Sequence, residues 1–201
     1  MPEISLTDFV DYVASSGSPK LTKVKTVKSR EEYNPAFDFW KRFRDGIVGF
    51  HKSRTTDKKD LTRISLTQSD QKKRTAFPIA VAGYQKFLGR KKTTWFDPPG
   101  ERWNSGGLDV RVNPELGLVI DGHRHIIKLY LKADPLSKRR VDAILAMMHD
   151  ALSSAAIQRV TYCVLDVQRG KLYYDTNPNP TLLPLLHGEA SSFTVVWNNL
   201  P

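Results

Sequence analysis

The fold is decided by residues 106–132, GGLDVRVNPELGLVIDGHRHIIKLYLK, and by the stretches that follow them as far as residue 174. Leu108, Val110 and Val112 alternate with Asp109, Arg111 and Asn113, the period of a half-buried strand. Asn113-Pro114 breaks that run, Leu118–Ile120 resumes an extended apolar one, and Asp121-Gly122 is a tight-turn signal. His123–Lys132 then reads as a strand, with Ile127, Leu129 and Leu131 on one face and Ile126, Lys128, Tyr130 and Lys132 on the other. Residues 135–153 carry Val141, Leu145, Met148 and Leu152 at helical spacing. Val160–Val167 is a β-branched strand, and Gln168-Arg169-Gly170 turns it into a short strand over Lys171–Tyr174. TNPNPTLLPLLHGEA, residues 176–190, reads as a Pro-interrupted connection to a last helix carrying Phe193, Trp197 and Leu200.

Towards the N-terminus the pattern is helical. Ser5 caps a short apolar stripe (Leu6, Phe9, Val10, Val13) that stops at Gly17. SPKLTKVKTVKSR, residues 18–30, alternates apolar and basic and fits an edge strand or an extended basic arm. Asn34-Pro35 is a helix start for the stripe Ala36, Trp40, Phe43, Ile47 and Phe50. Residues 51–74 read as a polar connection with one short element at Leu61–Leu66, before a second stripe of Phe77, Val81, Tyr84 and Leu88. Pro and Gly make residues 93–107 a loop. The expectation is an α+β fold: a small central sheet flanked by helices, with a helical basic N-terminal half before a β-β-α-β-β-α segment. Residues 1–92 would pack on an α/β core over 93–201, the whole forming one domain.

Charge is unevenly spread. The 201 residues hold 31 Lys and Arg against 21 Asp and Glu, a net +10. Residues 1–18 carry −3, residues 19–92 carry +13, and residues 93–201 balance. A concentrated positive stretch attracts phosphate and releases its counterions, which points to a nucleic-acid partner. The backbone-tracking candidates are Lys41, Arg42, Arg44, Lys58, Lys59, Lys72, Lys73, Arg74, Arg90, Lys91, Lys92, Lys138, Arg139 and Arg140. The one cysteine, Cys163, rules out an internal disulfide framework. MPEISLTDFVDYV shows no secretory pattern, and no apolar run reaches the roughly 20 residues of a membrane helix, so a cytoplasmic protein with no membrane partner is expected.

Phosphate-loop, dinucleotide, zinc-protease and nucleophile-elbow signatures are all absent. Cys163 sits mid-strand and reads as a small buried hydrophobe. His123 and His125 share a strand face but lack a third ligand at a recognisable spacing. Trp95 and Phe96, after Arg90-Lys91-Lys92, offer either base stacking or a plug onto the core.

The run GGLDVRV…HIIKLYLKADPLSKRRVDAILAMMHDAL…VTYCVLDV resembles the core of the PD-(D/E)XK nuclease-like superfamily, in its RecB- or Cas4-like versions, over about residues 106–167. The resemblance implies two carboxylates on adjacent strands holding Mg²⁺ or Mn²⁺, with a lysine positioning the attacking water. Asp109 fits the first acid and Lys132 the lysine, while Tyr130 stands in place of the second acid. Glu115 would be a displaced second metal ligand beside Asp109, although Asn113–Gly117 also reads simply as a turn. The only acid-x-Lys, Asp57-Lys58-Lys59, lies in the polar connection. Lys138, Arg139 and Arg140 open a helix, a position that a bound phosphate would explain. Two functions follow: a nucleic-acid-binding nuclease or its non-catalytic relative, and a protein-interaction or regulatory module. An exposed apolar patch of Phe37, Phe39, Val48 or Met147 would mark the second.

Overall fold

A computed structural model describes residues 1–30, 38–53, 57–66, 68, 70–153, 159–174 and 181–201. The N-terminal half contributes β1 (Glu3–Ser5), α1 (Leu6–Ala14), α2 (Ser18–Lys28), α3 (Lys41–Lys52), α4 (Lys59–Leu66) and α5 (Gln71–Leu88). Four strands and a fifth follow as β2 (Thr93–Phe96), β3 (Glu101–Ser105), β4 (Leu108–Val112), β5 (Leu116–Ile120) and β6 (His123–Tyr130). The chain closes with α6 (Lys138–Leu152), β7 (Val160–Asp166), β8 (Lys171–Tyr174) and α7 (Leu182–Asn199). This is an α+β fold.

Two sheets form. The larger has the order β2-β5-β6-β7-β8, with β6 and β7 parallel across the α6 crossover and the other pairs antiparallel. The β5–β6 hairpin pairs Ile120 with His123 across Asp121 (φ 49°) and Gly122 (φ 90°). Positive φ at both positions is what a two-residue hairpin turn requires, and Asp-Gly supplies it with little strain. The smaller sheet has the order β1-β4-β3, with β1 parallel to β4.

The larger sheet divides the interior into two apolar cores, as the alternation along β6 predicts. Ile127, Leu129, Cys163 and Leu165 face α3, α4 and α5, where Phe43, Ile47, Leu61, Phe77 and Tyr84 are buried. Ile126, Tyr130, Tyr162 and Val164 face the opposite core, built from α1, α6, α7 and the smaller sheet through Phe9, Val110, Ile144, Met148 and Phe193. The N-terminal half is therefore split between the two faces. Side-chain caps start three of the helices: Ser5 on α1, Asp70 on α5 and Ser137 on α6 each accept from a backbone N–H of the first turn.

Several expectations need correction. Residues 18–28 are a helix, neither strand nor arm, because Leu21, Val24 and Val27 recur every three residues and bury Val24 and Val27. The expected loop at 93–107 contains β2 and β3, and the expected connection at 176–190 gives way to α7 from Leu182. The proposed apolar patch is not a surface: Met147 is fully buried, and Phe39 and Val48 pack against the α3–α5 core. Phe37, Ala36 and the Asn34-Pro35 start lie outside the described residues.

Candidate binding cleft and basic helical layer

Four residues carried the expected chemistry, and the structure brings three of them together. Glu115, Tyr130 and Lys132 line one cavity of about 220 Å³, with Asp11 of α1, Trp40 and Arg44 at the start of α3, and Arg140 of α6. Asp109 is not in its wall. It lies on β4 in the smaller sheet, paired in register with Glu3 and Asn104, and its carboxylate accepts from Arg102 at 2.9 Å. The strand carrying Asp109 and the strand that Lys132 follows, β6, are therefore not neighbours, contrary to what the nuclease resemblance implies.

Each carboxylate is already engaged. Glu115 accepts from Lys128 Nζ at 2.6 Å and from the Leu129 backbone N–H at 2.8 Å, which fastens the start of β5 to β6. Lys132 donates to Asp11, and Lys23 Nζ and Arg140 Nε stand 3.2 and 3.7 Å from the same carboxylate. Asp109 and Glu115 face different cations on different sheets, so the residues present do not fit a divalent ion shared by that pair. Among the described residues no three His, Cys, Asp or Glu side chains form a metal-binding group.

Tyr130 is the unusual member. It is 6% exposed, and its hydroxyl has no hydrogen-bond partner. Burial raises its pKa, and Arg140 opposes that shift while Asp134, Asp11 and Asp166 reinforce it. A desolvated hydroxyl with nothing to bond costs about 1–3 kcal/mol. Nearby, the fully buried Asp166 is held by Arg169 at 3.2 Å, and Arg169 Nη2 also donates to the Ala133 carbonyl at 2.8 Å. That clamp fixes the chain leaving β6.

The basic residues sort differently from their order in the sequence. The cations of 19–30 are largely occupied. Lys20 pairs with Glu189, Lys23 with Asp8 and Asp11, Arg30 with Asp8, and Lys28 donates to the Trp197 and Leu200 carbonyls. Residues 1–37 balance at five cations and five acids, whereas residues 38–92 hold fifteen cations and five acids. The chain's whole excess thus belongs to the segment of α3, α4, α5 and the turn after them. Within it Lys41 pairs with Asp45, and Arg44 with Asp38. Lys58 and Lys91 cap the Gly89 and Phe87 carbonyls, and Arg74 bonds Gln71. Arg42 and Arg63 line an open groove between α3 and α4 together with Asp45 and Asp60, and Arg63 pairs with Asp60 at 2.8 Å. Lys59, Lys72, Lys86, Arg90 and Lys92 are exposed, and Lys73 sits 5.7 Å over the Phe39 ring. On α6, Lys138 pairs with Asp142 at 2.7 Å, Arg139 is exposed and Arg140 turns to Asp11.

The remaining candidates are structural. Cys163 is buried mid-strand, and burial pushes its thiol up to about 12. His125 Nδ1 bonds the His123 carbonyl at 2.8 Å. Trp95 stacks on His51 with Lys52 5.4 Å from its ring, so it covers α3 rather than standing free. Asp11 and Trp40 were not read as site residues. Their only signals were the i, i+3 spacing of Asp8 and Asp11 and an aromatic within a helical stripe. No family model, curated protein or solved structure matches the chain. Among the described residues no helix is long and apolar enough to cross a membrane.

Proposed function

We propose that this protein binds nucleic acid through its α3–α5 layer and does so without a metal-dependent cleavage step. One observation carries the reading: the entire net charge of +10 lies in residues 38–92, which form the helices covering one face of the larger sheet. A phosphate backbone is the abundant polyanion that such a layer attracts, through counterion release. The nuclease-like core remains part of the proposal as a non-catalytic relative. Supporting that restriction, Asp109 is committed to Arg102 and lies apart from Glu115, Tyr130 and Lys132.

The test is fluorescence anisotropy with labelled single-stranded and duplex oligonucleotides across a salt series. On duplex the log–log slope should be about −0.9 per neutralised phosphate, and removing Lys72, Lys86 or Arg90 should each reduce it by about one. Absent or salt-insensitive binding would overturn the nucleic-acid reading. Incubation with Mg²⁺ or Mn²⁺ should leave the oligonucleotides intact. Cleavage abolished by both Asp109→Ala and Lys132→Ala would overturn the non-catalytic half.

A further inference from the structure

The cavity at the carboxyl end of β6 is not used by the reading above, and its lining suits a different ligand. We propose that it is a binding site for a small organic anion, a carboxylate on a short apolar or aromatic body. Ligands of open sheets with parallel strands commonly sit outside the carboxyl ends of those strands, and here β6 runs parallel to β7.

Size, wall and charge agree on the class. At about 220 Å³ the cavity falls below the roughly 300 Å³ at which drug-sized pockets begin, so its occupant is small. Leu6, Val10, Leu131 and Ile144 give it apolar walls. Trp40 adds an aromatic one, its ring fixed by stacking on Phe77 at 5.4 Å. Two polar atoms in this lining are buried without a hydrogen bond, the Tyr130 hydroxyl and Arg140 Nε, and both can donate. Buried donors are normally satisfied, so a Tyr130 hydroxyl with no partner, beside an Arg140 Nε held to Asp11 only at an ion-pair distance of 3.7 Å, calls for an acceptor.

The charge of that acceptor follows from the neighbours. The lining itself holds four cations, Arg44, Lys128, Lys132 and Arg140, against two acids, Asp11 and Glu115. One further negative charge would reduce that surplus, whereas a neutral ligand would leave it. A carboxylate offers two acceptor oxygens to two donors and keeps the rest of the molecule apolar. A phosphate dianion has no apolar body for Leu6, Val10, Leu131 and Ile144 to cover.

Calorimetry and thermal unfolding of the full chain with benzoate and hexanoate test the site. Benzyl alcohol, acetate and inorganic phosphate serve as controls. At least one of the two acids should bind saturably and raise Tm, and each control should bind at least about tenfold more weakly. Tyr130→Phe keeps the ring and removes the donor, and should weaken the acid by about tenfold, as should Arg140→Gln. On the unaltered protein the Trp40 indole N–H and the amides of 129–132 should shift in a ¹H–¹⁵N spectrum, a readout that does not depend on the variants folding. No saturable binding of either acid overturns the proposal, as does equal binding of benzyl alcohol or phosphate, or affinity unchanged in both variants. Oligonucleotide binding by Tyr130→Phe should match that of the unaltered protein, which separates this site from the α3–α5 layer.

Discussion

Lys132, two residues beyond the end of the central strand β6, donates to Asp11 of the first helix, 121 residues away in sequence. The ion pair ties α1 to the larger sheet and places a carboxylate under three cations, with Lys23 and Arg140 on its other sides. Asp11 is the less exposed partner, at 15% against 38% for Lys132. The two ends should therefore differ in cost. Asp11→Asn leaves three cations facing one another and should lose about 1–2 kcal/mol, while Lys132→Met should lose no more than about 0.5 kcal/mol. Urea unfolding of both variants measures this, and a larger loss from Lys132→Met would mean that Asp11 is not the hub.

Asp8 should set the acid limit of stability. Burial alone would raise its pKa, but Arg30, Lys23 and Ser5 hold the carboxyl far below the usual carboxylate range. A depressed folded pKa gives stability that is present above the unfolded value, about 3.9, and is lost as pH falls through the folded one. Unfolding midpoints should therefore decline below about pH 4, and the decline should be shallower in Asp8→Asn. Identical acid limbs for the two proteins would remove Asp8 from the explanation.

His51 acts higher in the pH range. Its Nε2 lies 2.6 Å from the Tyr84 hydroxyl, and burial lowers its pKa to about 4. The unfolded chain takes up a proton near pH 6.5 while the folded chain stays neutral, so stability is full above about 6.5 and falls towards 4. The loss should be on the order of 3 kcal/mol across that window. His51→Gln should flatten it, and direct titration of the imidazole by NMR would show a value near 6.5 if the burial argument fails.

Two glycines predict opposite outcomes. A Cβ on Gly83 of α5 would stand 2.0 Å from the Val167 carbonyl oxygen and 2.7 Å from that of Gln168, both backbone atoms. Gly83→Ala should therefore cost about 2–3 kcal/mol. A Cβ on Gly49 of α3 meets nothing within 4 Å, so Gly49→Ala should stabilise by about 0.5–1 kcal/mol. Thermal melts read both, and a neutral Gly83→Ala would show that α5 does not approach the β7–β8 turn so closely.

Ion pairing on α2 makes a sharp contrast with α5. Lys20 and Lys23 are committed to Glu189, Asp8 and Asp11, whereas Lys72 and Lys86 stand exposed on the basic layer. Charge reversal at Lys72 and Lys86 should weaken oligonucleotide binding more than tenfold at low salt. Lys20→Ala should leave binding unchanged and cost up to about 1 kcal/mol of stability. The reverse pattern would move the polyanion surface to α2.

α6 and the α3 and α5 stripes were legible because burial on one face sets a helical apolar period, and strands 4 to 8 because they are short apolar or β-branched runs bounded by turn residues. Sheet membership was not. The alternation of Leu108, Val110 and Val112 defines a strand, but its partner β1 comes from the start of the chain, and no local pattern announces that pairing. β2 and β3 were hidden by Pro98-Pro99-Gly100 between them, although each is only four or five residues long and keeps the proline turn outside its ladder. In 18–30 the lysines between Leu21, Val24 and Val27 imitate a period of two, and only the burial of Val24 and Val27 reveals a period of three. Of the site, Tyr130, Lys132 and Glu115 were picked out by the nuclease-like resemblance, together with Asp109, which the structure places in the other sheet. Asp11 and Trp40 reach the same cavity from distant helices, which is tertiary information.

The parallel pairing of β1 with β4 also sets an order of events during synthesis. Glu3, Ile4 and Ser5 are made about a hundred residues before the backbone they join at Asp109–Arg111, which emerges only after five helices and two further strands. Until then the α1 face bearing Phe9 and Val13 has neither strand nor α6 to cover it. Long-range pairing of this kind slows folding and leaves apolar surface open to aggregation, so a nascent chain stalled before residue 109 is the form of this protein most in need of a chaperone.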